Sequence, residues 1–189
     1  MRTVSILGST GSIGTQALQV VRGNPELKVV ALAAGSRWEM ALAQAKEFGT
    51  RIVALSDEKE AERARRAKAS LGLSHVEVLS GADGVQKAAS LDDAEVVLHA
   101  IPGFEGIRPL ISSLEHRKLV AFAGKESLVS AGELISPYIT KEPGRFVPVD
   151  SEHSAVFQCL LGEDRKDVQE IVLTASGGAL RDWTLEQMR

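Results

Sequence analysis

An apolar run over 4–7 leads directly into glycines at positions 8, 11 and 14, and apolar residues then recur at the spacing of a helix face. Strand, glycine turn and helix, in that order, form the unit that binds a dinucleotide pyrophosphate. We expect Gly8 to permit the tight turn, Gly11 to admit a phosphate close to the backbone, and Gly14 to let the helix pack against its strand. Because the spacing is not the commoner Gly-x-Gly-x-x-Gly, the alternative is a βα turn that binds nothing. Its place after the first strand favours cofactor binding.

Short apolar runs alternate with amphipathic segments along the rest of the chain. The runs are mostly unbroken Val, Ile, Leu and Ala, which is typical of parallel strands covered on both faces. This pattern predicts an α/β, doubly wound fold. A helix is predicted over 107–114, and the mixed charges of 59–68 predict a solvated helix. The predicted strands are 4–7, 28–34, 52–55, 76–79, 95–101, 119–122, 145–149 and 170–174.

Composition narrows the function classes. The chain has 189 residues, 44% of them hydrophobic and 25% charged, which is typical of soluble globular proteins of one domain or slightly more. A net charge of −3 gives no reason to expect nucleic acid as a partner, and a single cysteine excludes an intrachain disulfide. No apolar stretch approaches the ~20 residues of a membrane span. The first strand begins near Met1, which leaves no room for a leader peptide, so we expect a cytoplasmic protein.

The second predicted strand, 28–34, ends in Gly35, Ser36 and Arg37 rather than in an acidic residue. In a unit specific for NAD, an Asp or Glu at this place holds the ribose 2′-hydroxyl. A hydroxyl and a guanidinium instead suit a 2′-phosphate, which predicts NADPH as the cofactor. The alternative is that Ser36 caps the following helix and Arg37 is its first exposed residue, although a capping serine could also contact the phosphate.

The stretch 147–153 places two carboxylates, Asp150 and Glu152, directly after an apolar strand. If the strand continues through them, its period of two puts both on one side, where they suit Mg²⁺ or Mn²⁺. The alternative is a helix start, with Ser151 as N-cap, Glu152 in the first turn and Asp150 exposed. His153 is a ligand, a base or a hydrogen-bonded structural residue, and the poor match between imidazole and hard cations favours the structural role.

Three further residues carry candidate chemistry. Lys125, followed by Glu126 after the strand over 119–122, could hold a substrate oxyanion or phosphate, with an ordinary helix start as the alternative. Ser176 and the backbone N–H groups of the two glycines after it could cradle a phosphate or form an ordinary turn. Cys159 falls on the apolar face of a predicted helix, which favours a buried small side chain over a nucleophile.

Four segments together resemble one family, the 1-deoxy-D-xylulose 5-phosphate reductoisomerases. They are Leu7-Gly-Ser-Thr-Gly-Ser-Ile-Gly14, Lys125-Glu-Ser-Leu-Val129, Pro148-Val-Asp-Ser-Glu-His153 with Ala155 and Phe157-Gln158, and Thr174-Ala-Ser-Gly-Gly178. Enzymes of that family rearrange the carbon skeleton of 1-deoxy-D-xylulose 5-phosphate and reduce the resulting aldehyde with NADPH. The product is 2-C-methyl-D-erythritol 4-phosphate, on the non-mevalonate route to isoprenoids.

The resemblance implies a role for each matching residue. Cofactor contacts are implied for Thr10, Gly11, Ser12 and Ile13, for Gly35, Ser36 and Arg37, and for Gly124 and Glu126. Substrate contacts are implied for Lys125, Ser151 and Ser176, and binding of Mg²⁺ or Mn²⁺ for Asp150 and Glu152; the implied catalytic residues are Lys125, Asp150 and Glu152. The metal ion would polarise the substrate ketone. The family usually has Asn where this chain has Gly124.

The resemblance also implies a domain organisation. A doubly wound Rossmann-type NADPH-binding domain would occupy 1–147, and the start of an α+β catalytic domain would occupy 148–189. Family members are about twice as long, so we expect this chain to bind NADPH but to turn over little or no substrate. The full-length protein is expected to be a homodimer acting on a small sugar phosphate.

Two other function classes remain open on the sequence. An NADPH-dependent semialdehyde dehydrogenase would need an exposed catalytic cysteine near a base, for which Cys159 is the only candidate. A non-catalytic nucleotide-binding module would show no activity at any length.

Overall fold

The computed structural model describes residues 1–174 and 180–188. Within them the chain forms a seven-stranded sheet of order β4-β3-β2-β1-β5-β6-β7, and the pairings among its first six strands are all parallel. The strands are β1 Arg2–Leu7, β2 Leu27–Ala34, β3 Ile52–Leu55, β4 Glu77–Ser80, β5 Val96–His99, β6 Leu119–Phe122 and β7 Phe146–Pro148. The helices are α1 Ser12–Arg22, α2 Trp38–Phe48, α3 Glu58–Ala67, α4 Gly81–Ala89, α5 Ile107–Glu115, α6 Lys125–Lys141 and α7 Ser151–Cys159.

The strand order reverses at β1. The chain builds outward from β1 to β4 on one side and then returns to add β5, β6 and β7 on the other. Leu7, the last residue of β1, pairs with Ala33 of β2 and with His99 of β5. In open α/β sheets a ligand crevice lies outside the carboxyl ends of the strands at such a reversal. The predicted doubly wound α/β fold is therefore confirmed, and the glycine turn after β1 lies at its switch point.

The core lies on both faces of the sheet. Ile6 and Leu32 pack on one face with residues of α1, α2 and α3, while Leu7 and Ala33 pack on the other with residues of α4. Both faces are covered, so the strands need no polar alternation, which is why they read as continuous apolar runs. A third cluster joins β6 to α5 and α6 around Leu110.

Helix α3 shows how local chemistry defines an element. Asp57 is its N-cap and accepts hydrogen bonds from the backbone N–H groups of Lys59 and Glu60 at 2.9 and 3.1 Å. Only its alanines at 61 and 64 are buried, while its charged residues pair along the exposed face. The predicted solvated helix is confirmed.

The carboxyl-terminal segment differs from the expectation. The apolar run over 170–174 was expected to be a strand, but it has no regular secondary structure, and Ile171, Val172 and Leu173 are exposed. A strand requires a partner for its backbone groups, and the local pattern alone does not supply one. The chain separates into two compact units, 1–147 and 148–189. None of the described residues from Pro148 onward is buried.

Across the described parts of the chain, we find no helix with both the length and the apolar character that a membrane crossing requires.

Candidate functional site

Three glycines form the turn after β1, and each has a distinct steric reason. Gly8 adopts φ +88°, and a Cβ there would lie 2.8 Å from the carbonyl carbon of Ala100. A Cβ on Gly14 would lie 2.6 Å from Ser9 Cα, so the close approach of this helix is to the turn itself rather than to the strand. A Cβ on Gly11 would meet only Gly8 O, at 3.3 Å. That contact is tight, but Gly11 is the least enclosed of the three glycines, which suits the approach of a phosphate.

The first turn of α1 offers its backbone donors to a ligand. Gly11 is the N-cap, and no side chain in the described residues caps the helix. The first helical hydrogen bond runs from Thr15 N–H to Gly11 O at 3.0 Å. The N–H of Gly11 donates to Gly8 O, so the N–H groups left without a helical acceptor are those of Ser12, Ile13 and Gly14, at a helix start whose dipole favours an anion. Of the predicted phosphate contacts, Ser12 is exposed, Ile13 is half-buried and Thr10 is buried.

The turn after β2 leaves its polar groups available. Gly35, Ser36 and Arg37 are all exposed. The N-cap of α2 is Arg37, and no side-chain hydrogen bond caps the helix, so the alternative in which Ser36 is the cap is wrong. Neither the hydroxyl nor the guanidinium is committed to the helix start, and both can serve an anion beside the turn.

The parallel sheet brings these segments to one edge. The glycine turn, residues 35–37 and residues 124–126 follow β1, β2 and β6, and their carboxyl ends all lie on the same side of the sheet. Adjacent strands are about 4.8 Å apart, so the turns after β2 and β6 lie roughly 14 Å apart on either side of the switch point. That span suits an extended ligand whose two ends meet different groups.

The turn after β6 is the third part of this edge. Lys125 and Glu126 begin α6, and both are exposed, whereas Gly124 before them is buried. Ser127 is fully buried and its hydroxyl donates to Gly103 O at 3.1 Å, which ties α6 to the loop after β5. A helix does start at Lys125, as the alternative interpretation has it, and the exposed lysine lies beside the crevice.

A buried histidine lies beneath this turn. His99 ends β5, and its Nε2 lies 2.8 Å from Gly106 O, so Nε2 carries the proton and donates. Burial lowers the pKa of His99, so the ring is neutral at pH 7. A Cβ on Gly124 would lie 3.1 Å from His99 Nδ1 and 2.8 Å from Ile101 O. The missing side chain at 124 is thus required by the packing of this chain.

The second unit carries the predicted metal ligands, and here a helix starts. Asp150 is the N-cap of α7 and Glu152 lies in its first turn, so the strand does not continue through them. Of the two alternatives, the continuing strand is therefore wrong and the helix start is correct, except that Asp150 and not Ser151 is the cap. Pattern alone could not separate the two alternatives, because acidic residues suit both the end of a strand and the first turn of a helix.

Local hydrogen bonds hold these side chains. His153 Nδ1 lies 3.0 Å from Asp150 Oδ1, so His153 takes the structural role favoured by its chemistry. Ser151 Oγ donates to Glu152 Oε2 at 2.8 Å. The two carboxylates supply the oxygen donors that Mg²⁺ prefers, so the donor chemistry fits a hard cation. In the described ranges, however, no three or more His, Cys, Asp or Glu side chains form a group able to hold a metal.

Two further expectations concern the end of the chain. Cys159 was expected to be buried, but it is exposed, because α7 has no buried residue and so offers no apolar face to a core. Ser176 and the two glycines after it lie outside the described residues.

Three residues at this edge were missed by the sequence reasoning: Ser9, Gln44 and His99. Each has a buried side-chain atom without a hydrogen-bond partner among the described residues, and Gln44 and His99 stand among apolar neighbours in the sequence. Gln44 follows Ala41 and Leu42 on the buried side of α2, and His99 closes an otherwise apolar strand. A polar residue at a core position was the available signal.

Comparison with known proteins identifies the family. The family model described as 1-deoxy-D-xylulose 5-phosphate reductoisomerase matches residues 4–132, and the model for that enzyme's C-terminal domain matches residues 146–189. The 1-deoxy-D-xylulose 5-phosphate reductoisomerase of Lachnoclostridium phytofermentans is 43% identical over 189 residues, which are 100% of this chain and 48% of that protein. The chain thus spans about half the length of the curated relatives it matches.

Solved structures agree. The reductoisomerase from Zymomonas mobilis in complex with NADPH matches with a TM-score of 0.88 and 36% identity, covering 99% of this chain and 49% of that one. A structure of the enzyme with NADPH, fosmidomycin and magnesium matches with a TM-score of 0.87 and 31% identity, covering 100% and 48%. With the glycine turn, the Lys-Glu-Ser helix start and the Asp-Ser-Glu helix start all present, the chain belongs to the 1-deoxy-D-xylulose 5-phosphate reductoisomerase family.

Proposed function

We propose that this chain is the NADPH-binding part of an enzyme that converts 1-deoxy-D-xylulose 5-phosphate to 2-C-methyl-D-erythritol 4-phosphate. One observation carries the proposal. The glycine turn, Arg37 and Lys125 follow three different strands, and all three lie on the side of the sheet where the carboxyl ends of the strands form the crevice at the switch point. Family membership supplies the reaction, and the matching NADPH complex supports the cofactor.

The cofactor would lie along this edge. Thr10, Gly11, Ser12 and Ile13 would hold its pyrophosphate through the turn and the start of α1. Gly35, Ser36 and Arg37 would surround the 2′-phosphate, and Gly124 and Glu126 would contact the cofactor from the far side of the switch point. Backbone donors and a guanidinium suit these anionic groups.

The substrate and the metal ion would use other residues. Lys125 would hold the substrate by charge, and Ser151 and Ser176 would position it by hydrogen bonds. Asp150 and Glu152 would bind Mg²⁺ or Mn²⁺, and the matching magnesium complex supports the first of these ions. When bound, the ion would polarise the substrate ketone and stabilise the charge that develops on its oxygen. His153 would hold the Asp150 carboxylate in place by its hydrogen bond.

We also infer the wider organisation from the resemblance. Residues 1–147 would form the NADPH-binding domain and residues 148–189 the start of the catalytic domain, a division supported by the two compact units. The whole enzyme would be a cytoplasmic homodimer. Cys159 is exposed, as the dehydrogenase alternative requires, but the matching family and the relatives and structures above are reductoisomerases and favour that reaction.

Two measurements test the cofactor assignment. Binding of NADPH and NADH to the chain is followed by titration calorimetry, and Arg37→Ala should weaken NADPH about tenfold while leaving NADH nearly unchanged, because NADH has no 2′-phosphate. Arg63→Ala, which removes an exposed guanidinium from α3, is the matched control and should change neither affinity. Equal losses for both cofactors in Arg37→Ala would contradict the assignment.

The reaction is tested in a longer protein. The chain is joined to the carboxyl-terminal half of the Lachnoclostridium phytofermentans relative and assayed for NADPH oxidation with 1-deoxy-D-xylulose 5-phosphate. We expect turnover that requires Mg²⁺ or Mn²⁺ and is lost in Asp150→Asn, whereas the 189-residue chain alone should show little or none. A folded fusion that binds NADPH and leaves this substrate untouched would refute the proposed reaction.

A further inference from the structure

The glycine turn is held from two sides by the next βα unit. The backbone N–H of Ser9 donates to Ala33 O at the end of β2, at 2.8 Å. The backbone carbonyl of Ser9 accepts from Gln44 Nε2 of α2, at 3.0 Å. Both backbone groups of this residue are therefore tied to the strand and helix that flank Arg37.

Gln44 and Arg37 belong to the same rigid element. Arg37 is the N-cap of α2 and Gln44 lies seven residues further on, about 10 Å along the helix axis. Any shift of α2 relative to the glycine turn would therefore move Arg37 relative to the pyrophosphate site. The hydrogen bond from Gln44 to Ser9 is a direct side-chain link from α2 to that turn.

One hydrogen bond joins these two residues, and each of them has a second polar atom that could join in another. Ser9 Oγ and Gln44 Oε1 are buried and have no hydrogen-bond partner among the described residues. Ser9 is 0% exposed and Gln44 is 7% exposed. One atom is a hydroxyl that can donate and the other an amide oxygen that accepts, and they belong to two residues already in contact. Buried polar groups are normally paired, so the arrangement without a ligand leaves a bond unmade.

We propose that Gln44 is a positioning residue for the choice of NADPH over NADH, and that its amide oxygen accepts a hydrogen bond from the Ser9 hydroxyl when NADPH binds. Docking of the pyrophosphate on the turn and of the 2′-phosphate on α2 fixes both elements at once. The Ser9–Gln44 pair then sets their separation. The proposal rests on the NADPH site proposed above.

The first test is Gln44→Met, which keeps the length of the side chain but removes both hydrogen-bonding atoms. NADPH uses both the turn and Arg37, whereas NADH does not use the 2′-phosphate site. The substitution should therefore weaken NADPH about tenfold and NADH by less than about threefold, measured by titration calorimetry on the 189-residue chain. Gln19→Met, at an exposed position on α1, is the matched control and should change neither affinity.

Ser9→Ala provides the second test and does not depend on how Gln44→Met folds. It removes a hydroxyl that has no hydrogen-bond partner within 1–174 and 180–188, so the melting temperature of the chain without NADPH should stay equal or rise. The same substitution should weaken NADPH by about threefold or more, because the bond formed on binding is lost. Combining Ser9→Ala with Gln44→Met should weaken NADPH no further than Gln44→Met alone.

The outcomes separate this inference from the site on which it rests. If the unsubstituted chain binds no NADPH, the proposed cofactor site fails and this inference fails with it. If the unsubstituted chain prefers NADPH, and Ser9→Ala lowers the melting temperature without changing the NADPH to NADH affinity ratio, Ser9 is merely structural and the inference alone is overturned.

Discussion

His99 determines which residues the turn after β6 can hold, because its ring packs against the backbone of that turn. Its ring packs beside Phe122, with ring centroids 5.4 Å apart, and lies against the backbone of Gly106 and Gly124. The imidazole therefore occupies space that side chains at positions 106 and 124 would otherwise fill. The family's usual Asn at position 124 cannot be placed here unless His99 or the carbonyl of Ile101 moves.

Gly124→Ala tests this fit. The added Cβ would meet Ile101 O and His99 Nδ1, so we expect a loss of about 1–3 kcal/mol in the free energy of unfolding, measured by urea titration. Gly132→Ala, on the same helix with nothing within 4 Å of the added Cβ, is the control and should be neutral or slightly stabilising. Equal stability of the two variants would show that the turn tolerates a side chain.

The same histidine gives the fold a dependence on pH. Burial lowers the pKa of His99 in the folded chain, while in the unfolded chain the ring has the ordinary histidine pKa of about 6.5. Below pH 6.5 the His99 ring binds a proton in the unfolded state but not in the folded state, so the free energy of unfolding falls as the pH falls. Above pH 6.5 the ring is neutral in both states. We expect up to about 1.4 kcal/mol lost per pH unit between pH 6.5 and the lowered folded pKa, measured by urea titration.

His99→Asn removes this titrating group and should flatten that slope between pH 6.5 and 5.5, whatever its own stability. His75→Gln, at an exposed position, is the control and should keep the slope of the unsubstituted chain. A slope in His99→Asn as steep as in the unsubstituted chain would assign the effect to other groups.

At the scale of elements, the strand–turn–helix at the start of the chain depends on the absence of side chains at two contacts. Gly8 closes against the loop after β5, and Gly14 closes against the turn that precedes its own helix. The glycine turn therefore packs tightly between the loop after β5 and helix α1. This packing holds the start of α1 so that the N–H groups of its first turn face the crevice.

Gly14→Ala tests the second of these contacts. The added Cβ would lie 2.6 Å from Ser9 Cα, so α1 must move away from the turn, and we expect NADPH affinity to fall about tenfold or more. Gly23→Ala, at the other end of α1, is the matched control; its Cβ would lie 3.7 Å from the nearest atom, and affinity should not change. The measurement is titration of both variants with NADPH.

Sequence predicts best those helices and strands whose local pattern of apolar and polar residues is enough to determine their secondary structure. Ile52–Leu55 and Leu119–Phe122 were predicted to the residue because unbroken apolar runs between turns fit a covered parallel strand. The run over 170–174 has a similar pattern, but a strand also needs a neighbour, and that is decided elsewhere in the chain. The start of α7 at Ser151 was undecided for a related reason, since acidic residues suit both a strand end and a helix start.

The candidate site divides in the same way. The glycine turn and Gly35 to Arg37 are contiguous in sequence, so their chemistry could be read directly. His99 and Gln44 act through contacts with residues 7 and 35 positions away, at Gly106 and Ser9. The first contact depends on how the loop after β5 folds back on the ring, and the second on the pairing of β1 with β2, and no single-sequence pattern encodes either.

At the scale of the whole molecule, the core lies in the first unit. The buried residues among those described end at Ile135, and all three apolar clusters fall within residues 1–147. The stability of the first unit should therefore depend little on the residues that follow it.

A chain shortened to residues 1–147 tests this expectation and the proposed domain boundary. It should unfold in one cooperative transition and bind NADPH with an affinity within about twofold of the 189-residue chain, as judged by urea titration and calorimetry. Shortening to residues 1–115 is the control, because it removes Val120, Phe122 and Ile135 from the core and should abolish cooperative unfolding. Loss of cooperativity in the 1–147 chain would contradict the boundary.

The central place of β1 also has a consequence for the order in which a ribosome delivers the chain. β2 follows β1 at once, but β5, which pairs with the other edge of β1, is made about 90 residues later. At translation rates of about 5–20 residues per second, one edge of the strand Arg2–Leu7 stays without its partner for roughly 5–20 s. An unpaired apolar edge is a site of aggregation. The place of β5 in the sequence thus sets how long each nascent chain stays vulnerable.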